Sequence, residues 1–290
     1  MIVCSTLSTT PDSKALSGVL DKIEGAVKQG TWTEEEDVIL AAFRHHFSQP
    51  GKCMRAQLCM RVSSALGHTT DDATAFAATV EALHNASLVL DDLQDAALSR
   101  RGQSTVCAQF GSDAALALTF RLTAASFLCL RQSGTQYFPQ LSSQTRFAVA
   151  QTALGQARDL DGAFEPSVED LKKTAALKSG PLFGLSLSLP LIAAGYECAV
   201  PKARRISELF GLGYQLLDDI KDRSTDRLQN VDSNIVNAYE KFTSRDGAVE
   251  MARLEAKQIF DESKRLANEL PVNSGLGIIQ LIQRLKLPTS

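Results

Sequence analysis

The sequence contains two aspartate clusters with the same D-D-x-x-D spacing, each directly after an apolar stretch. Their members are Asp91, Asp92 and Asp95 in the first cluster and Asp218, Asp219 and Asp222 in the second. On a helix, the first and third aspartates of a cluster lie one turn apart on one face, where like charges repel each other. A divalent cation removes this repulsion, and Mg²⁺ typically binds one or two carboxylates together with substrate phosphates. We therefore predict that all six aspartates bind Mg²⁺ and that the two clusters, facing each other, hold a diphosphate.

A solvated acidic face is the alternative interpretation, and it would be preferred for a single aspartate pair. Two copies embedded in apolar helices favour the metal site instead. Gln215 lies three residues before Asp218 and so belongs to the second cluster's face. The nearby Gly211 and Gly213 predict a close approach of another backbone.

Basic residues follow two breaks in the pattern. Gly51 precedes Lys52 and Arg55, which are three residues apart and share one face of the helix that begins there. Free N–H groups at a helix start, together with two cations, make an anion site. Arg100 and Arg101 follow the first aspartate cluster, and guanidinium groups suit bidentate phosphate binding. Alone, each pair would be interpreted as solvated surface charge; beside the aspartates, both indicate a phosphorylated substrate.

Two further candidates lie on apolar helices. His84 is two turns before Asp91 on the same face, and although a lone helical histidine is usually a core residue, this alignment favours the site. Lys178 and Ser179 precede Gly180-Pro181, where a helix break would direct Lys178 into a cavity. Lys172 and Lys173 are competing cations that we interpret as surface residues.

The composition excludes several functional classes. The chain has 290 residues and a net charge of -3, which does not favour nucleic-acid binding. Its six cysteines form no C-x-x-C pair, so neither a zinc site nor a disulfide framework is expected. No secretory signal is predicted at the N-terminus. The most apolar segment, 181–196, is interrupted and short for a membrane span, which predicts a core helix, no transmembrane segment and a cytoplasmic protein.

The pattern predicts an all-α protein. Stretches rich in Ala and Leu lack the alternation of half-buried strands, and the breaks between them are short. We predict a flexible N-terminus over residues 1–14 and a single domain over 15–290, a bundle of roughly ten helices around a central cavity.

From Gly51 to Asp222 the motifs resemble the trans-isoprenyl diphosphate synthase (polyprenyl synthetase) family, which includes farnesyl and geranylgeranyl diphosphate synthases. The first motif, Gly51-Lys52-x-x-Arg55, is similar to the family's G-K-x-x-R-P. The segment from His84 to Gly102 is similar to its first aspartate-rich region with a trailing R-R-G. The remaining matches are Gly155-Gln156-x-x-Asp159, the segment Lys178 to Phe183, and Gly211 to Asp222 as the second aspartate-rich region.

The resemblance implies an enzyme that joins an allylic diphosphate to isopentenyl diphosphate, giving a longer trans-prenyl diphosphate and pyrophosphate. The residues implied for isopentenyl diphosphate are Gly51, Lys52, Arg55, His84 and Arg101. Those implied for the allylic diphosphate, through Mg²⁺, are Asp91, Asp92, Asp95, Asp218, Asp219 and Asp222. Arg100, Lys178, Ser179 and Gln215 would assist, with Lys178 among the catalytic groups. The family also implies a homodimer.

The chain departs from the family pattern at several positions. Ala56, Leu90 and Phe120 stand where many members have Pro, His and Asp, and the stretch after Asp222 has no lysine before Lys241. Lys221 or Arg223 is the expected substitute for the missing lysine. Ser87 and Ala86, one turn before Asp91, are small, and Phe120 is expected to close the pocket from the next helix. Together these favour C15 to C20 products, with longer products left open.

Two other functions stay open at this point. A class I terpene cyclase would use the aspartates but not a second diphosphate pocket, so the basic residues oppose it. A non-catalytic partner subunit of a heteromeric prenyl synthase would be expected to lack one aspartate cluster, and both are present.

Overall fold

The computed structural model describes residues 13–29, 38–160, 166–228 and 234–285. Within them the chain forms twelve α-helices, two short 3₁₀ helices and one small hairpin, which confirms the all-α prediction. The first six helices are α1 Ser13–Lys28, α2 Val38–Phe47, α3 Met54–Ala65, α4 Thr70–Gln94, α5 Val106–Phe110 and α6 Ser112–Arg131. The other six are α7 Phe138–Leu160, α8 Val168–Ala193, α9 Val200–Leu228, α10 Ile235–Tyr239, α11 Arg245–Ala267 and α12 Leu276–Arg284. The hairpin consists of β1 Ser99–Arg100 and β2 Gln103–Ser104, and the 3₁₀ helices are Glu197–Ala199 and Pro271–Asn273.

By its internal contacts the chain divides into two compact units, and the single domain predicted over residues 15–290 stays a prediction. The first comprises Met1–Ser143 with Leu189–Gly195, and the second comprises residues 144–188 with 196–290. The predicted flexible N-terminus, 1–14, lies outside the described residues except for the first two residues of α1.

The first unit is built around α4. Thr69 caps this helix, since its side chain accepts a hydrogen bond from the backbone N–H of Asp72. Most residues of α4 are buried, because α1, α3 and α6 pack against this helix. The same helix carries His84 and, in its last turn, Asp91 and Asp92, while Asp95 directly follows its last residue.

The second unit contains α9, α11 and the first twenty residues or so of α8. The break predicted at Gly180-Pro181 is wrong, because α8 continues through Pro181 without interruption. A proline inside a helix loses one backbone hydrogen bond. Here Leu182, Phe183 and Leu185 are almost completely buried, and this burial outweighs the local preference of Pro181.

Glycines set the spacing of these helices. A Cβ at Gly211 on α9 would lie 2.8 Å from the backbone nitrogen of Gly180 on α8, and one at Gly213 would lie 2.8 Å from the ring of Phe260. The contact at Gly211 confirms the predicted close approach of another backbone, whereas Gly213 instead faces a side chain. A Cβ at Gly155 on α7 would lie 2.6 Å from the carbonyl carbon of Leu177 on α8. A side chain at these positions would force the helices apart.

By length and composition, two described helices are apolar enough to cross a membrane: α6 and α8. In α8, 72% of the most apolar window is buried inside the protein, as the predicted core helix requires; in α6 the share is 44%. The exposed part of α6 carries a row of apolar residues spaced four apart, Leu116, Phe120, Ala124 and Leu128. This row, the α6 stripe, is the outer face of the first unit's second-longest helix.

Candidate functional site

Arg100 holds the first two aspartates of the first cluster. Its Nε donates to Asp92 Oδ1 at 2.7 Å, and its Nη2 donates to Asp91 Oδ2 at 3.2 Å. Asp92 is 3% exposed; burial raises the pKa of its carboxyl, and the hydrogen bond from Arg100 opposes that rise. Asp95 is exposed to solvent. Arg100 thus neutralises two carboxylates of the cluster and leaves the third facing water.

The hairpin places Arg101 beside the start of α3. Arg101 and Gly102 both have positive φ, 54° and 80°, which is the backbone of a two-residue type I′ turn between β1 and β2. The Arg101 guanidinium donates to the carbonyl of Gln49 at 2.8 Å and lies against Gly51. A Cβ at Gly51 would lie 2.5 Å from the Arg101 Cζ atom, and the φ of Gly51 is 72°, a left-handed backbone that favours glycine. Gly51, Lys52 and Arg101, predicted to act together, are therefore neighbours.

Arg55 and His84 are also in contact. Arg55 Nη1 donates to His84 Nε2 at 3.2 Å. Burial, followed by the charges of Arg55 and Arg101, holds the pKa of His84 well below its ordinary value. His84 is therefore neutral at pH 7, and its Nε2 acts as an acceptor that orients the Arg55 guanidinium without adding charge.

The three aspartates of the second cluster, all near the end of α9, lie in different environments. Asp219 is 4% exposed, and its two carboxylate oxygens accept from Gln215 Nε2 at 2.6 Å and from the backbone N–H of Ile235 at 2.7 Å. Asp218 is partly exposed and accepts from Lys221 Nζ at 2.8 Å. Asp222 faces solvent. Asp219 therefore anchors the chain after α9, while Asp218 and Asp222 present carboxylates outward.

The segment after the second cluster uses asparagine where the family pattern has other residues. Asn234 caps α10, and its Nδ2 donates to the backbone carbonyl of Asp219 at 3.1 Å. The sequence analysis did not predict this anchoring role. Of the two expected substitutes for the missing lysine, Lys221 is bonded to Asp218, and the Arg223 side chain lies outside the described residues.

Lys178 is held by an acid from α7. Its Nζ donates to Asp159 Oδ2 at 2.6 Å, and both side chains are partly buried. The close contact of Gly155 with Leu177 brings these helices together one turn away. Ser179 follows on α8, where its Cβ lies 3.2 Å from the Cβ position of Gly211. Of the competing lysines, Lys172 forms an ion pair with Glu255 at 2.6 Å, and Lys173 is exposed.

A buried polar network beside Arg55 was missed by sequence reasoning. Glu81, 1% exposed, accepts from the backbone N–H of Ala56 at 3.3 Å and from Asn85 Nδ2 at 3.2 Å. Asn85 Oδ1 bonds to His46 Nε2 at 2.9 Å. The signal in the sequence was a carboxylate three residues before His84 inside an apolar helix, since buried acids are rare unless they are paired.

The predicted pocket walls are only partly supported. Ala86 is buried, and the Ser87 hydroxyl donates to the carbonyl of His84 at 2.7 Å. Phe120 was expected to close the pocket from α6, but 69% of its surface is exposed on the α6 stripe. It therefore closes no buried pocket within this chain, and that expectation is corrected.

The second unit contains a cavity of about 740 Å³ among α7, α8, α9 and α11. Phe147, Lys172, Arg204 and Glu255 are among the described residues that line it, and the predicted site residues are not. The cavity is therefore separate from the side chains that the sequence analysis selected.

Within the described stretches, no three His, Cys, Asp or Glu side chains form a group that would hold a metal ion by itself. The aspartate clusters thus offer single carboxylates, several already bonded to cations, rather than a closed metal cage.

The model of the family described as "Polyprenyl synthetase" matches residues 36–231 of this chain. The chain is 29% identical over 228 residues to a hexaprenyl pyrophosphate synthase of Saccharolobus solfataricus, a match that covers 77% of this chain and 76% of that protein. It is 32% identical over 203 residues to a geranylgeranyl diphosphate synthase of Pseudescherichia vulneris, with 66% of each covered.

Solved structures with the same fold are more distant in sequence. The geranylgeranyl pyrophosphate synthetase from the archaeon Geoglobus acetivorans superposes with a TM-score of 0.80 at 23% identity, over 93% of this chain and 97% of that one. A decaprenyl diphosphate synthase from Rhodobacter capsulatus superposes with a TM-score of 0.75 at 19% identity, over 94% and 98%. At these identities the likeness establishes the fold.

Proposed function

This chain belongs to the polyprenyl synthetase family, and from that premise we propose that it condenses an allylic diphosphate with isopentenyl diphosphate. It is a prenyltransferase that makes longer trans-prenyl diphosphates. The observation that carries the choice of substrates is the basic group at the start of α3, where Arg101 lies against Gly51 and Arg55 contacts His84. A second diphosphate needs such a group, whereas a terpene cyclase does not.

Lys52, Arg55 and Arg101 bind the diphosphate of isopentenyl diphosphate in this proposal. Lys52 and Arg101 are exposed and supply charge to an incoming ligand. Arg55 is fixed by the neutral His84, so its fork is oriented before the substrate arrives. Because these cations need no metal, the isopentenyl substrate is expected to bind without Mg²⁺.

The aspartates bind the allylic diphosphate through Mg²⁺. Carboxylate oxygens are the ligands that Mg²⁺ prefers, and the ion commonly uses one or two of them with substrate phosphates, which fits clusters that form no closed cage. Asp91, Asp95, Asp218 and Asp222 are the partly or fully exposed members that would hold it. When bound, Mg²⁺ neutralises the charge that develops on the departing diphosphate.

The reaction then proceeds through an allylic cation. The bond between C1 of the allylic substrate and its diphosphate oxygen breaks, and the electron pair leaves with the diphosphate. Arg100, Lys178 and Gln215 assist by donating to that charge. The isopentenyl double bond attacks C1 of the allylic cation, which forms the new carbon–carbon bond and leaves a tertiary cation on the isopentenyl unit. The carbon next to that cation loses a proton to the departed diphosphate, and the electrons of its C–H bond form the new double bond.

The product is proposed to have 15 to 20 carbons. The small Ser87 and Ala86 before Asp91 do not block an early extension, and one similar protein is named as a geranylgeranyl diphosphate synthase. A homodimer joined through the α6 stripe and a cytoplasmic location complete the proposal.

A product assay tests the function. The purified chain is given Mg²⁺ and dimethylallyl, geranyl or farnesyl diphosphate, each with and without isopentenyl diphosphate, and products are identified by mass. Elongated prenyl diphosphates that require both substrates are expected. Cyclic hydrocarbon from one substrate alone would indicate a terpene cyclase, and no diphosphate release at all would indicate a partner subunit.

Two variants assign the residues. Asp218→Ala is expected to lower kcat by about a hundredfold or more, because it removes stabilisation of the leaving diphosphate. Lys52→Ala is expected to raise KM for isopentenyl diphosphate with a smaller effect on kcat. Lys173→Ala removes an exposed cation of α8 and serves as the control. Unchanged kinetics in Lys52→Ala would contradict the site.

A further inference from the structure

The helix that carries Arg55 begins without a cap from its own sequence. Cys53 occupies the N-cap position with a left-handed backbone, φ 44°, and its side chain makes no capping hydrogen bond. The first N–H groups of any helix have no partner within the helix. The direction of the first turn of α3, and with it that of Arg55, therefore depends on groups from other elements.

Glu81 of α4 supplies the missing cap. Its Oε2 accepts from the backbone N–H of Ala56, the third residue of α3, at 3.3 Å. A carboxylate at this place satisfies one of the unpartnered amides and interacts favourably with the positive end of the helix. Glu81 comes from 25 residues away along the chain, so this cap exists only in the folded protein.

The other oxygen of Glu81 is fixed from the opposite side. Asn85 Nδ2 donates to Oε1 at 3.2 Å, and Asn85 Oδ1 bonds to His46 Nε2 at 2.9 Å. Since the Asn85 oxygen accepts, His46 must donate, so both hydrogen bonds point toward the carboxylate. His46, Glu81 and Asn85 are all at least nine-tenths buried.

The carboxylate is also balanced by charge. The positive charge of Arg55 opposes the rise in the pKa of Glu81 that burial causes, and the charge of Arg101 adds a smaller effect in the same direction. A buried carboxylate without such partners would be strongly unfavourable. Glu81 therefore acts on Arg55 in two ways: through its hydrogen bond to the backbone of Ala56, the next residue of α3, and through the attraction between its carboxylate and the guanidinium.

We infer that Glu81 is a positioning residue for isopentenyl diphosphate, which caps α3 and thereby fixes Arg55 against His84. This rests on the proposed function, in which Arg55 binds that substrate. Glu81 itself is buried and does not touch the ligand in this arrangement.

Glu81→Gln separates positioning from simple charge balance. If Glu81 only neutralised Arg55, its removal would leave more positive charge, and diphosphate would bind more tightly. If Glu81 positions Arg55, the result is different. Glutamine has one oxygen and one NH2 group, so it can accept from only one of the two N–H donors that Glu81 binds. The first turn of α3 then loosens, and binding of the diphosphate weakens. The two roles thus predict changes of opposite sign.

The measurement is calorimetric binding of isopentenyl diphosphate to the full-length chain, together with steady-state kinetics. Glu81→Gln is expected to raise Kd for isopentenyl diphosphate about tenfold, with a parallel rise in its KM. KM for geranyl diphosphate is expected to change by less than about twofold, since the aspartates are unaffected. Asp71→Asn, which removes an exposed carboxylate from the same helix, is the control and leaves both constants unchanged.

A milder variant covers the case in which Glu81→Gln does not fold. Asn85→Ser removes one donor to Glu81 and keeps the Ala56 contact, and about a threefold rise in the same Kd is expected. Equal or tighter binding in whichever variant folds overturns the inference. If the wild type binds isopentenyl diphosphate without elongating any allylic substrate, the proposed function fails while the positioning result stands; if the wild type does not bind it, both fail.

Discussion

Three buried or half-buried side chains, His46, Glu81 and His84, lie around the contact between α3 and α4, and their pKa values are shifted in different directions. Burial, opposed by the hydrogen bond to Asn85, lowers the pKa of His46 from 6.5 to about 4. Burial and Arg55 lower the pKa of His84 as well. Burial raises the pKa of Glu81, and Arg55 opposes it. The two histidines therefore lower the free energy of unfolding as the pH falls. Glu81 lowers the free energy of unfolding as the pH rises, because the folded protein holds its proton more tightly than the unfolded chain does.

The effect of His46 on stability is confined to a defined pH window. Between pH 6.5 and about 4 the unfolded chain binds a proton that the folded chain excludes, so the free energy of unfolding falls as the pH falls. The loss attributable to His46 is about 3 kcal/mol. His46→Gln keeps a donor to Asn85 without a titrating ring, and its urea midpoint is expected to fall less between pH 6.5 and 4 than that of the wild type.

The control is His45→Gln, one residue away, whose ring is half-buried and bonds to the carbonyl of Ser104. This variant leaves His46 and its hydrogen bond to Asn85 in place, so the loss of stability in acid attributed to His46 should remain. If the curves of the wild type and His46→Gln run parallel over this range, the histidine is not excluded from protonation and the interpretation of this network is wrong.

At the same scale, the sequence predicted one role for all six aspartates, whereas the structure shows that they differ in burial and in hydrogen-bond partners. Their D-D-x-x-D spacing was sufficient to select them, because it follows from helical geometry. It did not predict that Asp219 anchors the backbone of Ile235, since that contact joins residues across a loop. Glu81 was missed for the same reason: the backbone N–H of Ala56 belongs to α3 and reaches its carboxylate only after α3 packs on α4.

At the scale of the helices, glycines let α7, α8 and α9 approach each other closely. This spacing brings Lys178 of α8 within 2.6 Å of Asp159 of α7. A glycine inside a helix costs about 1 kcal/mol relative to alanine. Alanine does not fit at position 155 in spite of this preference, because its Cβ would lie 2.6 Å from the backbone of Leu177.

Gly155→Ala is therefore expected to destabilise the protein by about 1–3 kcal/mol, although alanine is the better helix former. Since α7 must move, the Lys178–Asp159 pair should lengthen and kcat should fall. Gly25→Ala in α1 is the matched control: no atom lies within 4 Å of its Cβ position, and about 0.5–1 kcal/mol of stabilisation is expected. Thermal unfolding measures both, and equal shifts in the two variants would contradict this account.

The helices themselves were largely predictable, and their ends were less so. Apolar stretches without strand alternation gave the class correctly. Gly180-Pro181 was interpreted as a break because both residues disfavour helix interiors, yet burial of Leu182 and Phe183 carries α8 through them. Local preference is a weak term when a helix is surrounded by apolar neighbours on most sides.

At the scale of the whole molecule, the α6 stripe is the apolar surface that most needs an explanation. Its side chains at positions 116, 120, 124 and 128 follow one another every four residues and so form one continuous face. Phe120 and Leu116 are 69% and 44% exposed. Contiguous exposed apolar rows mark interaction surfaces, and in a two-fold dimer the same row meets its own copy.

Phe120→Glu tests the dimer because it places a charge at the centre of that row. In a dimer joined through this row, the two introduced carboxylates would face each other and repel. Burying them in the interface would cost several kcal/mol. Sedimentation velocity is expected to show a dimer for the wild type and a monomer for Phe120→Glu. Leu254→Glu alters an exposed leucine of α11 and should remain dimeric. A wild type that sediments as a monomer, or a Phe120→Glu variant that stays dimeric, would exclude the α6 stripe as the interface. In that case α6 would be tested as a membrane-binding helix. The wild type would be expected to float with lipid vesicles in a density gradient.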